Sequence, residues 1–184
     1  MTENMRKAVH LSALFVPLLC ELTSKSLVSA LLLMITIVYA LEEVLRLKHQ
    51  SMPIITCFTL RMSRPDERSN FIITPIYLAI GIIITLISYS SSIAYSSICI
   101  GAIGDPVAGI VGGKFGRRHI LGRKTMEGSL AGLAASILLA SAIISPLIAL
   151  VGSVGAMIME LVDVPDDNLT MPIVAGALMT LALR

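Results

Sequence analysis

Seven apolar stretches run through this chain, and the connections between them alternate between strongly basic and nearly uncharged. The stretches are Lys7 to Glu21, Ser26 to Leu45, Phe71 to Ser88, Ile93 to Gly113, Glu127 to Ser145, Pro146 to Val162, and Leu169 to Leu183. A helix crosses the hydrocarbon core of a bilayer with roughly 20 apolar residues, or somewhat fewer if polar ends snorkel. Of the residues, 55% are hydrophobic and 14% charged, against roughly 25% charged in an average soluble protein. The expectation is therefore an all-α integral membrane protein, with residues 1–184 forming one polytopic domain of about seven transmembrane helices.

The basic residues orient it. Lys and Arg accumulate on the cytoplasmic side of membrane helices. With the N-terminus inside, that side holds Arg6 and Lys7; Arg46, Lys48, Arg61, Arg64 and Arg68; and Lys114, Arg117, Arg118, Arg123 and Lys124, leaving only Lys25 and Arg184 outside. A wrong helix count would scramble this pattern. The same layout gathers Asp105, Glu127, Glu160, Asp163, Asp166, Asp167 and His10 at or near the cytoplasmic face, while outer connections such as "SYSSSIAYSS" stay mild. The long segment from Arg46 to Asn70 reads as a loop. The three cysteines, Cys20, Cys57 and Cys99, are scattered, which argues against a disulfide framework; all three read as packing residues. A net charge of +2 implies no nucleic-acid partner.

Five polar constellations interrupt the apolar runs. "IGDPVAG" places Asp105 about 12 Å inside the cytoplasmic end of the fourth span, at 1.5 Å per residue. An acid at such depth marks function by default. Gly104 and Pro106 flank it, so the fourth span is expected to break near Gly104–Pro106, with Asp105 capping a half-helix. "GGKFGRR" follows, and Gly112 and Gly116 with Lys114, Arg117 and Arg118 have the composition of a phosphate cradle. It lacks the Walker A spacing, and topology alone also asks for a basic loop there.

"RKTMEGSLAG" opens the fifth span. Thr125 can cap that helix, whose free N–H groups around Glu127 and Gly128 and positive dipole end suit an anion beside Lys124. Glu127 equally reads as an acid favoured by the dipole. "MELVDVPDDNLTMP" closes the sixth span: Glu160 and Asp163 share a helix face, and Pro165 turns the chain to present Asp166, Asp167 and Asn168. Oxygen ligands at this density suit Mg²⁺, usually held by one or two carboxylates and by substrate phosphates. At the N-terminus, "RKAVH" brings Arg6, Lys7 and His10 to one side of the first helix.

Together these motifs resemble the polyprenol kinase family, which includes dolichol kinase, phytol kinase and CTP-dependent diacylglycerol kinase. The resemblance is carried by "RKAVH", by "GD-x-x-A-x-x-x-G-x-x-x-G" from Gly104 to Gly116, by "KT-x-EGS-x-AG" from Lys124 to Gly132, and by "E-x-x-D" followed by "DDNLTMP" from Glu160 to Pro172. It implies phosphoryl transfer from a nucleoside triphosphate, usually CTP, to the hydroxyl of a lipid alcohol. Phosphatidate cytidylyltransferases share the general plan but have a longer spacer with "SP" before the lysine; "HILGRKT" lacks it.

The expected site opens to the cytoplasm. Arg6, Lys7, His10, Lys114, Arg117, Arg118, Lys124, Thr125, Glu127 and the backbone at Gly112, Gly116 and Gly128 would hold the triphosphate. Asp105, Glu160, Asp163 and Asp167 would hold Mg²⁺, and Asp105 or Asp163 would orient or deprotonate the lipid hydroxyl, with Lys124 beside them. The alternatives are a cytidylyltransferase forming a CDP-lipid and, lower, an ion or anion transporter. A homodimer is compatible with the sequence, which does not identify the alcohol.

Overall fold

The computed structural model describes residues 2–50, 52–63, 68–162 and 166–184. It is mostly helical: α1 (Thr2–Ser12), α2 (Phe15–Leu22), α3 (Lys25–Leu47), α4 (Pro53–Met62), α5 (Thr74–Ser88), α6 (Ser91–Phe115), α7 (Met126–Ala140), α8 (Pro146–Val162) and α9 (Asp167–Ala182). A two-stranded antiparallel hairpin, β1 (His119–Leu121) and β2 (Lys124–Thr125), joins α6 to α7.

Local chemistry sets the helix ends. Ser24, Thr125 and Asp166 cap α3, α7 and α9 by accepting from the N–H groups of Leu27, Gly128 and Asn168. Proline stands in the first turn of α4, α5 and α8, where its missing N–H costs nothing. Pro146 also explains why α7 and α8 separate. The residue before a proline avoids helical backbone, and the chain turns through Ser141–Ile144 before α8 begins.

α6 occupies the centre, packed against α1, α2, α5, α7, α8 and α9. Two apolar clusters flank it. One joins Ile100 and Ala108 to Ala140, Ala156, Met157, Met171 and Met179 of α7, α8 and α9. The other joins Ile98 and Ala102 to Ala13, Val16, Val28, Ile82 and Leu86. Along the α6–α7 seam, Gly104, Ala108 and Gly112 face Gly128, Gly132 and Ser136. A Cβ on Gly132 would stand 2.7 Å from the Gly104 carbonyl oxygen. Small residues four apart on both helices let the backbones approach this closely.

Four expectations need correction. The fourth span does not break at Gly104–Pro106: α6 runs continuously through Pro106. Gly104 is buried against Ser136, so close packing on both faces overrides the local breaking tendency of Gly-Asp-Pro. The first span is instead two helices. Pro17 cannot donate to the Ala13 carbonyl, which accepts from Val16 N–H at 3.0 Å in a tighter turn. The segment from Arg46 to Asn70 contains α4, and the hairpin interrupts what was expected to be loop. Cys57 on α4 is exposed rather than packed, unlike Cys20 and Cys99.

α3 and α6 are long and apolar enough to cross a membrane, by length and composition. They differ in burial: 67% of the apolar window of α6 is buried and only 22% of that of α3. α3 instead exposes Leu31, Met34, Ile35, Val38, Leu41 and Leu45, an apolar face that water would penalise.

Candidate functional site

Four helices bring polar side chains to the hairpin end of the bundle. Lys124, on β2, lies 2.5 Å from Glu160 Oε1 at the end of α8 and 3.4 Å from Asp167 Oδ2 at the start of α9. The Glu160 side chain is 2% exposed. A carboxylate so buried needs a cation. Burial is the largest single influence on the Lys124 ammonium and acts to lower its pKa. The hydrogen bond with Glu160 and the charges of Asp167, Glu160 and Asp105 outweigh it, so the group is held above its ordinary value. Lys124 is thus a fixed positive charge.

Asp105 reaches the same region from the middle of α6. Its Oδ2 lies 3.5 Å from Nδ1 of His10 on α1, which is buried. Arg6 is close enough for its charge to act on His10. The Lys7 side chain lies over Gly109, one turn beyond Asp105, with Nζ 3.4 Å from where a Cβ on that glycine would stand. "RKAVH" therefore does meet "GDPVAG".

At the rim, Glu127 Oε2 accepts from the backbone N–H groups of Arg117 and Arg118 at 3.1 and 3.3 Å. The acid in the first turn of α7 thus holds the entry to the hairpin. The side chains of Lys114, Arg117 and Arg118 are exposed. Asp166 accepts from Asn168 N–H at 3.0 Å and from Asn168 Nδ2 at 2.5 Å, which fixes Asn168 at the N-terminus of α9.

The glycine cradle is not a loop. Residues 112–115 form the last turn of α6, and Gly116 N–H donates to the Gly112 carbonyl. A Cβ on Gly112 would stand 2.7 Å from Thr125 Oγ1, and Gly128 faces Ala108 and Gly112. The spacing that reads as a phosphate cradle serves helix packing at these three glycines. The N–H groups of Gly116 and Gly128 are taken up by the Gly112 carbonyl and by Thr125 Oγ1.

Asp163 lies outside the described residues. Among those that are described, no three of His, Cys, Asp and Glu are gathered closely enough to hold a metal ion. The carboxylates of Glu160 and Asp167 are divided by the Lys124 ammonium. This donor set suits Mg²⁺ only in its usual substrate-assisted form, in which one or two carboxylates share the ion with phosphate oxygens.

Sequence reasoning missed Glu42 and Glu43. Both are buried near the end of α3. Glu43 takes a two-bond grip on Arg46, at 2.6 and 2.9 Å, and accepts from Ile72 N–H at 2.8 Å; Glu42 accepts from Met52 N–H. Arg46 in turn donates to the carbonyls of Arg68 and Asn70. Acids inside an apolar helix with Arg three residues on were the available signal. Their role is to clamp the connection carrying α4.

The fold and site thus define a mostly helical protein with two helices long and apolar enough to cross a membrane and a partly buried lysine–carboxylate–histidine cluster at one end. The chain matches no family model, no curated protein and no solved structure.

Proposed function

We propose that this protein is an integral membrane kinase that transfers the γ-phosphoryl group of a nucleoside triphosphate, CTP by resemblance, to the hydroxyl of a lipid alcohol of the dolichol, polyprenol, geranylgeraniol or phytol type. The α1–α2 pair with α3, α5, α6, α7, α8 and α9 would supply seven crossings, the N-terminus and the site facing the cytoplasm. The observation that carries the reading is the convergence of Lys124, Glu160, Asp167, Asp105 and His10, drawn from sequence motifs far apart in the chain.

Phosphoryl transfer asks mainly for positioning and neutralisation of charge. The permanently charged Lys124 would meet the phosphates, assisted by the exposed Lys114, Arg117 and Arg118 and, from α1, by Arg6 and Lys7. Asp105, Glu160 and Asp167 are the described carboxylates able to hold Mg²⁺, which when bound would neutralise phosphate charge. In the reaction the lipid oxygen bonds to the γ-phosphorus as the bond from that phosphorus to the β-bridging oxygen breaks. The nucleoside diphosphate leaves, and the hydroxyl proton passes to a carboxylate. His10 would hold Asp105 in place.

Incubation of the purified protein with γ-labelled CTP, Mg²⁺ and a panel of lipid alcohols tests this. Label recovered in the lipid supports the kinase. Label recovered in pyrophosphate when a lipid phosphate replaces the alcohol identifies a cytidylyltransferase, and label remaining in CTP with every alcohol and every lipid phosphate rejects both.

A further inference from the structure

The hairpin carries a surface that the charged cluster does not use. From Lys114 to Arg123 the chain reads "KFGRRHILGR", with four Lys or Arg and no Asp or Glu. Every one of these residues except Gly116 is exposed. Three are large and apolar: Phe115, Ile120 and Leu121 are 68%, 51% and 59% exposed. A Cβ built on Gly122, in the turn, meets no atom of the described residues within 4 Å. Glu127 holds the N–H groups of Arg117 and Arg118 and so ties them to the site. Beyond them, β2 packs on α6 and α7 while the main neighbour of β1 is β2 itself, which leaves the tip from Ile120 to Arg123 uncovered.

We propose that this tip docks on an anionic lipid surface, with Phe115, Ile120 and Leu121 entering the interface and Lys114 and Arg123 meeting lipid phosphates. The inference rests on reading α6 as a membrane crossing and not on the chemistry of the site. Position is the first support: α6 is long and apolar enough to cross a bilayer and ends at Phe115, so a hairpin leaving that end emerges at the level of the headgroups. Composition is the second. Single apolar side chains interleaved with cations are the make-up of segments that lie in the interface, apolar bodies at the acyl boundary and charges among the headgroups. Charge is the third, because the negative potential of a leaflet rich in anionic lipid attracts a basic segment with no acids of its own. An acidic protein segment would neutralise the cations yet leave Phe115, Ile120 and Leu121 to find pockets of their own; a bilayer takes both without a shaped partner. Lys124 follows Arg123 directly on β2, so docking the tip also restrains the strand that delivers Lys124 to Glu160.

The test places an environment-sensitive fluorophore on Leu121→Cys in the full chain, with the exposed Cys57 changed to Ser, in nanodiscs of phosphatidylcholine or of phosphatidylcholine mixed with phosphatidylglycerol. The same probe on Ile35→Cys, on the exposed apolar face of α3, reports whether that helix lies in lipid. Spin-labelled acyl chains should quench Ile35 in both discs and Leu121 only in those holding phosphatidylglycerol. High salt should weaken the Leu121 quenching. Arg123→Gln should lower the ratio of docked to free probe about fivefold, the weight of one cation at an anionic surface. Equal quenching of Leu121 in the two lipids, or none in either while Ile35 is quenched, would overturn the inference. So would displacement of the docked probe by excess CTP with Mg²⁺, which would assign these cations to the nucleotide. Failure of lipid to quench Ile35 would bring down the membrane reading and the docking with it. If Leu121 is quenched as expected while γ-labelled CTP yields no lipid phosphate, the docking stands and the kinase reading falls.

Discussion

Lys124 Nζ and Glu160 Oε1 stand 2.5 Å apart, and each needs the other: Glu160 is almost wholly buried, and burial alone would act against the lysine charge. Removing one partner of such a pair leaves an uncompensated charge, at a cost of about 3 kcal/mol or more. Lys124→Met should therefore unfold earlier in detergent and lose lipid phosphorylation. Lys124→Met combined with Glu160→Leu should regain most of the stability and none of the activity. Thermal unfolding and the labelled-CTP assay on the same preparations check both halves, and recovery of activity in the double variant would remove the pair from the site.

How far this pair could be read beforehand depends on what kind of signal each partner leaves. Helix ends marked by Ser24, Thr125, Pro146 and Asp166 are local chemistry and are legible in the sequence. So is the gathering of Lys124, Glu160 and Asp167 at one end, because successive helices that alternate in direction bring every second connection together. The continuity of α6 through Pro106 is not legible locally, since it depends on Ser136 and Gly132 of α7 packing against Gly104. For the same reason Gly112, Gly116 and Gly128 look like a phosphate loop: glycine allows close approach to a ligand or to another helix, and composition does not distinguish the two. The strands of the hairpin are too short for any periodic signal, and its turn is only two residues, Gly122, with φ of 54°, and Arg123.

The pH dependence of the same pair has a definite sign. The folded pKa of Lys124 lies above its ordinary value of 10.5, so the stability it contributes is fully present below that value and is lost only as pH rises through the folded pKa. The Tm difference between the wild type and Lys124→Met should hold constant from neutral pH to about 10 and shrink above it. A difference that already disappears between pH 7 and 9 would contradict the raised pKa.

Two glycines should respond in opposite ways. Gly132→Ala puts a methyl group 2.7 Å from the Gly104 carbonyl and must push α6 from α7, at about 1–3 kcal/mol for overpacking. That shift also moves Asp105 relative to Lys124, so activity should fall along with Tm. Gly113→Ala meets nothing within 4 Å in the last turn of α6 and should gain up to about 1 kcal/mol from helix propensity. Thermal melts of the two variants decide it, and equal effects would refute the seam.

Cys57 provides a probe of orientation. It is exposed on α4, whereas Cys20 and Cys99 are buried. A membrane-impermeant maleimide should label Cys57 alone, in inverted vesicles but not in right-side-out ones, if α4 lies on the cytoplasmic side. Labelling from the outer face would reverse the proposed topology.

Glu127 separates positioning from binding. Its carboxylate receives the N–H groups of Arg117 and Arg118, so it aims the arginine-bearing segment without needing to touch a nucleotide. Glu127→Ala frees both donors near solvent, where each hydrogen bond is worth about 1 kcal/mol or less; Tm should change little. The KM for nucleotide should rise several-fold with kcat nearly constant, because uniform binding is what a misplaced Arg117 and Arg118 would lose. Glu127→Gln keeps a carbonyl oxygen for the same donors and should recover much of the affinity. A ligand role predicts otherwise: Gln would then fail as badly as Ala, and kcat would fall with KM unchanged.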